Sequence, residues 1–116
     1  MTNKHTILVV DDEMHLRNIL EEVLSDKFIV VTAEDGQKAL SVIETHTPKV
    51  DIVLSDINMP NMDGIELLKK IQVSHSHIGV ILLSEQGNIQ VAVDAMRMGA
   101  FDYLTKPLTS FEELDI

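Results

Sequence analysis

The feature that most constrains this chain is a set of four short apolar runs: Ile7-Leu8-Val9-Val10, Phe28-Ile29-Val30-Val31, Ile52-Val53-Leu54 and Val80-Ile81-Leu82-Leu83. They are rich in β-branched residues and too short for helices, so they read as strands. They run almost unbroken instead of alternating with polar residues. Both faces of their sheet must then be covered, which is the pattern of parallel strands in an α/β domain. A fifth, weaker strand fits Tyr103-Leu104.

Helical spacing fills the intervals. From Glu13 to Leu24 the residues Leu16, Ile19, Leu20, Val23 and Leu24 recur three and four apart, with Arg17, Asn18, Glu21 and Glu22 opposite. A second helix is expected from near Gln37 to Glu44, ending before Pro48, which cannot continue it. A third covers Gly64 to Val73, with Asp63 as N-cap and Glu66 completing a capping box. A fourth runs from near Asn88 to Met98, with Gly99 as a left-handed stop. Ser110 to Ile116 opens like a fifth helix, truncated by the end of the chain. Five βα units without an internal repeat or linker predict one doubly wound domain over 1–116, with any effector domain lying outside this chain.

Composition removes several function classes. Nine basic residues stand against 19 acidic ones, a net charge of −10, so the clustered cations that a phosphate backbone needs are lacking and direct nucleic acid binding by this segment is not expected. With no cysteine there is no disulfide. The N-terminus leads into a run of only four apolar residues, Ile7 to Val10, before Asp11 and Asp12, too short for a signal peptide or membrane span. The expectation is a cytoplasmic domain with no membrane partner.

In an open α/β sheet the ligand site lies beyond the carboxyl ends of the strands, where strand order reverses. Asp11, Asp12 and Glu13 follow the first run, Asp56 the third, Ser84 the fourth, and Lys106 and Pro107 the fifth. With strand order 2-1-3-4-5 the first and third strands are neighbours about 4.8 Å apart, and Asp11, Asp12 and Asp56 converge. Such carboxylates repel one another unless a cation or proton intervenes. An oxygen-only set suits a hard ion such as Mg²⁺. Capping of the first helix would account for Asp11 or Asp12, but not for Asp56 on another strand. Ser84 lies one strand from Asp56 and Lys106 two, roughly 10 Å, which a lysine side chain partly spans. A hydroxyl and an ammonium facing a metal-bound carboxylate suit phosphoryl transfer, with Asp56 as nucleophile. Taken singly, Lys106 reads as a solvated lysine and Ser84 as a turn residue.

These residues resemble the receiver domain of bacterial two-component response regulators along nearly the whole chain. The resemblance rests on Ile-Leu-Val-Val-Asp11-Asp12-Glu13, on Asp56-Ile-Asn-Met-Pro60-Asn-Met-Asp63-Gly64, on Ser84, and on Gly99-Ala-Phe-Asp-Tyr103-Leu-Thr-Lys106-Pro107. It implies a flavodoxin-like fold and phosphorylation of Asp56 by a sensor histidine kinase. It further implies Mg²⁺ held by Asp11, Asp12, Asp56 and the backbone carbonyl of Asn58, with Lys106 on the phosphoryl group. Ser84 is then the switch hydroxyl, Tyr103 the aromatic that turns inward, and Lys106-Pro107 a cis bond. The run Ala92 to Tyr103 is most similar to receivers of enhancer-binding transcriptional activators of the nitrogen-regulation type. Glu85 departs from the family, which usually has a small residue there; its bulk and charge are expected to slow small anionic phosphodonors or to alter dephosphorylation.

On the fourth helix, Ile89, Ala92, Val93 and Met96 form one stripe, expected to face the core, and Val91, Ala95 and Met98 form another almost opposite. Together with the family's habit of docking through this region, the second stripe predicts a phosphorylation-promoted homodimer through Val91, Ala95 and Met98. Of the five histidines, His5, His15 and His46 are scattered, and His75-Ser76-His77 alone has metal-binding spacing, without a third ligand in its loop. The six methionines read as core filler and loop packing. Two rival functions are a flavodoxin-type FMN electron carrier and an aspartate-based phosphohydrolase. Asp11-Asp12-Glu13 would repel the flavin phosphate of the first, and Asn58 replaces the general acid of the second.

Overall fold

The computed structural model describes residues 4–85 and 89–106, with Glu85, Ile89 and Lys106 described by their backbone only. The chain alternates β1 (His5–Val10), α1 (Met14–Leu24), β2 (Phe28–Ala33), α2 (Gly36–Thr45), β3 (Ile52–Asp56), α3 (Gly64–Ser74), β4 (Gly79–Glu85), α4 (Ile89–Arg97) and β5 (Asp102–Lys106). All pairings are parallel and the order is β2-β1-β3-β4-β5, the flavodoxin-like doubly wound sheet. The helix expected over 110–116 and the Lys106-Pro107 bond lie outside the described residues. The cis peptide that is described joins Thr47 to Pro48.

Period-two alternation along the strands divides the interior into two cores. Ile7 and Val9 of β1 join Leu54, Ile81, Leu83 and the α1 residues Leu20 and Leu24. Leu8 and Val10 face the other way and join Val53, Val80, Leu82, Ala39 and Ile43 of α2, Leu67, Leu68 and Ile71 of α3, and Ala95 of α4. Each fully buried aliphatic side chain contributes roughly 1.5–3 kcal/mol of transfer free energy. The edge strands β2 and β5 are the exceptions to two-sided burial: on β2 Ile29 is exposed and Val30 and Val31 are half-buried, and on β5 Tyr103 and Leu104 are half-buried. Lacking an outer neighbour, each receives less cover than the central strands.

Local chemistry closes three of the helix ends, among them the expected Asp63 and Gly99. Asp35 Oδ1 accepts the Lys38 N–H at 2.9 Å to cap α2, and Asp63 Oδ1 accepts the Glu66 N–H at 2.8 Å to cap α3. After α4, Gly99 takes φ +101°. Its N–H bonds the Met96 carbonyl at 3.1 Å and the Ala100 N–H bonds that of Ala95 at 3.0 Å, the paired bonds of a Schellman motif. The methionines are more varied than expected. Met62 is buried and Met59 and Met98 pack on the core, whereas Met14 and Met96 are exposed.

Candidate functional site

Register builds the site. Val10 pairs with Ser55, so Asp11 and Asp56 leave adjacent strands side by side. One carboxylate oxygen from each of Asp11, Asp12 and Asp56 falls within 4.8 Å of the other two. Asp11 is 1% exposed and Asp56 6%, while Asp12 is open to solvent. Asp11 is fixed by its surroundings: its Oδ1 accepts the Glu13 N–H at 2.8 Å, its own N–H bonds the Ala33 carbonyl at 3.2 Å, and Arg17 Nη1 donates to its main-chain oxygen at 2.7 Å. Glu13, not Asp11 or Asp12, occupies the N-cap of α1, and its side chain makes no cap bond. Helix capping therefore does not explain the two aspartates.

The loop after Asp56 folds back tightly. The Ile57 N–H bonds the Leu83 carbonyl at 3.0 Å, and the Gly64 N–H bonds the Ile57 carbonyl at 2.8 Å. Asn58 is exposed two residues beyond Asp56. On β4, Ser84 is 0% exposed and its hydroxyl has no hydrogen-bond partner among the described residues. Ser84 pairs with Thr105 and Glu85 with Lys106, which puts the Lys106 backbone at the same sheet edge as Asp56. Tyr103, opposite Leu82, is half-buried against the core shared by α2, α3 and α4.

This donor set fits a hard cation. It is all oxygen, and at separations near 4.8 Å with an effective dielectric near 20 the buried Asp11 and Asp56 carboxylates repel by about 3–4 kcal/mol. A divalent ion between them converts that repulsion into attraction.

One sequence expectation is overturned. Ala95 is 0% exposed, and Val91 and Met98 pack on the core, whereas Val93 is 38% and Met96 47% exposed. The two stripes of α4 are therefore exchanged: the sheet takes the small Ala95, which lets the helix approach closely, and the longer Met96 is left in solvent. Sequence reading also passed over Arg17, placed on a solvated face, and Gly64, seen only as a helix start. A cation one turn into the helix that follows Asp11-Asp12 was the available signal for Arg17.

The response regulator receiver domain family matches residues 7–115. The chain belongs to that family. The receiver domain is 41% identical to the transcriptional regulator NtrC of Salmonella typhimurium over 87% of this chain and 21% of the relative, and 38% identical to the regulatory protein AtoC of Escherichia coli over 100% and 25%. It thus spans about a fifth to a quarter of these curated relatives. Among solved structures, the receiver domain of NtrX from Brucella abortus matches at 38% identity and TM-score 0.84, covering 93% of this chain and 90% of that one. The Vibrio cholerae chemotaxis protein CheY4 matches at 28% identity and TM-score 0.86, covering 97% and 93%. The receiver domain is accordingly a regulatory module of the kind response regulators carry, and neither the electron carrier nor the phosphohydrolase is favoured. Among its described residues no helix is long and apolar enough to cross a membrane.

Proposed function

We propose that this receiver domain takes a phosphoryl group from a sensor histidine kinase onto Asp56 and relays that event through α4 and β5 to an output such as transcription. The observation that carries the proposal is the convergence of the Asp11, Asp12 and Asp56 carboxylates at the sheet edge where Ser84 stands one residue before the end of β4. Mg²⁺ would be held by these three side chains and the Asn58 carbonyl, where it supplies positive charge to the phosphoryl oxygens. An Asp56 carboxylate oxygen forms the bond to phosphorus as the bond to the donor's imidazole nitrogen breaks, and the imidazole leaves with a proton. Lys106 and Ser84 hold phosphoryl oxygens. The buried, unpartnered Ser84 hydroxyl favours this role, since the new acceptor would satisfy it. Tyr103 moves inward as Ser84 shifts. The domain catalyses no reaction beyond its own phosphorylation and dephosphorylation, acts in the cytoplasm and does not itself bind nucleic acid. Phosphorylation promotes a homodimer, with the exposed Val93 and Met96 as its α4 contacts.

Intact-mass measurement after treatment with acetyl phosphate and Mg²⁺, on wild type and Asp56→Asn, tests the proposal. One phosphoryl group on the wild type alone is the expected result. Labelling of both proteins would move the acceptor elsewhere.

A further inference from the structure

His75-Ser76-His77 lacks a third ligand within its own loop, but the fold brings a third histidine, His46, to the same cavity. The α2–β3 and α3–β4 connections both lie at the amino-terminal edge of the sheet, one strand length from the acidic site, roughly 13–16 Å for the five residues of β3. Between them is a cavity of about 360 Å³ whose lining includes His46, His75 and His77 together with Glu44 and Lys49. His46 Nδ1 lies 2.7 Å from the Pro48 carbonyl oxygen. A carbonyl can only accept, so Nδ1 is the donor, and in the neutral ring Nε2 carries the lone pair. Metal-bound histidines are commonly oriented by such an outer hydrogen bond.

The rings of His75 and His77 are already near a chelating pair. Their centroids are 6.4 Å apart and their planes cross at 73°. Imidazoles sharing one tetrahedral ion at about 2.0–2.1 Å from each nitrogen have centroids roughly 5–6 Å apart. The pair therefore closes by about an ångström. Among the described residues only the acidic triplet has three ligand atoms within 4.8 Å of one another, so a shared ion would require the three imidazoles to converge by side-chain rotation. Both loops permit it: His77 is exposed and His46 and His75 are half-buried.

We infer that this cavity binds a borderline divalent transition ion of the Zn²⁺ class through His46, His75 and His77, with the Glu44 carboxylate or water as the fourth ligand. Nitrogen donors select such an ion over Mg²⁺, which prefers the oxygen site at the opposite edge. The net charge of −10 raises the local concentration of any cation. Bound there, the ion ties the end of α2 to the end of α3, two helices on the same face of the sheet.

The test titrates the chain with Zn²⁺ in excess Mg²⁺, following heat and the imidazole ¹H–¹⁵N signals. One equivalent should bind with a Kd on the order of micromolar, shifting the signals of His46, His75 and His77 but not those of His5 and His15. His46→Gln and His75→Gln should each weaken binding at least tenfold without altering the far-ultraviolet circular dichroism. Absent saturation in the wild type, signals shifting elsewhere, or unchanged affinity in both variants would overturn the inference. So would Zn²⁺ uptake that falls in proportion to added Mg²⁺, which would assign it to the acidic triplet. The wild-type spectra decide the matter even if a variant fails to fold.

Discussion

A methyl group on Gly64 would sit 2.4 Å from the main-chain oxygen of Asp56 and 2.9 Å from the Cα of Ile57. The obstruction is backbone, so no rotamer change relieves it, and the demand at Gly64 is for space. Gly64→Ala should push the β3–α3 loop away and cost roughly 1–3 kcal/mol, as overpacking does, measured by urea denaturation. Acetyl-phosphate labelling of Asp56 should slow in the same variant, because the loop and the acceptor share that backbone. Wild-type stability and labelling together would refute the close approach.

Mg²⁺ should stabilise the domain. At ten times its Kd a ligand specific for the folded state adds about 1.4 kcal/mol, a rise in melting temperature on the order of 5 °C for a chain of this size. Asp11→Asn should abolish most of the rise and raise the melting temperature in chelator, since it removes one of two buried like charges. A melting temperature indifferent to millimolar Mg²⁺ would count against the cation site.

Thr6 and Ser84 share an uncommon property: each buries a hydroxyl oxygen without a hydrogen-bond partner among the described residues. An unsatisfied buried polar atom costs about 1–3 kcal/mol. Thr6→Val and Ser84→Ala should therefore be neutral or stabilising in thermal melts, unlike most core substitutions. Ser84→Ala should still weaken the response of β5 to phosphorylation, read from the chemical shifts of Tyr103. Destabilisation by more than about 1 kcal/mol in both variants would mean that the hydroxyls are satisfied in solution.

Asp35 and Asp63 cap successive helices, but only Asp35 is buried and also receives Asn61 Nδ2, at 3.3 Å. Asp63→Ala should cost about 1 kcal/mol. Asp35→Ala should cost more, about 1.5–2.5 kcal/mol, because it also frees Asn61, which is held at φ +69°. Denaturant midpoints of the two variants compare them directly, and equal losses would discount the Asn61 bond.

Met96→Glu should leave the resting domain folded and keep it monomeric with beryllofluoride, whereas Ala95→Glu should unfold it. Sedimentation velocity and circular dichroism separate the two. Unimpaired association of Met96→Glu would place the contact away from α4.

Most of this architecture was legible because parallel strands announce two-sided burial and because aspartate caps and a C-terminal glycine are local signals. The acidic triplet was legible for the same reason: each member directly follows or ends a recognisable strand. What failed depends on three-dimensional placement. Hydropathy found two apolar stripes on α4 and ranked them the wrong way round, since which one meets the sheet is set by the crossover and by the small size of Ala95. The half-exposure of β2 follows from its place at the edge, which strand composition does not record. His46 is 29 residues from His75, so no spacing rule joins them. The unpartnered state of the Ser84 hydroxyl is likewise a property of its surroundings.

β1 is a wall common to both halves of the interior, since Ile7 and Val9 belong to one core and Leu8 and Val10 to the other. Neither half can come apart while this strand stays paired, and neither can persist once it is withdrawn. The amides of β1 and its inner neighbour β3 should then exchange with solvent only through global opening, while those of the edge strand β2 escape by local fraying. Asp11, at the far end of that wall, takes its position from a strand that opens only when the whole interior does.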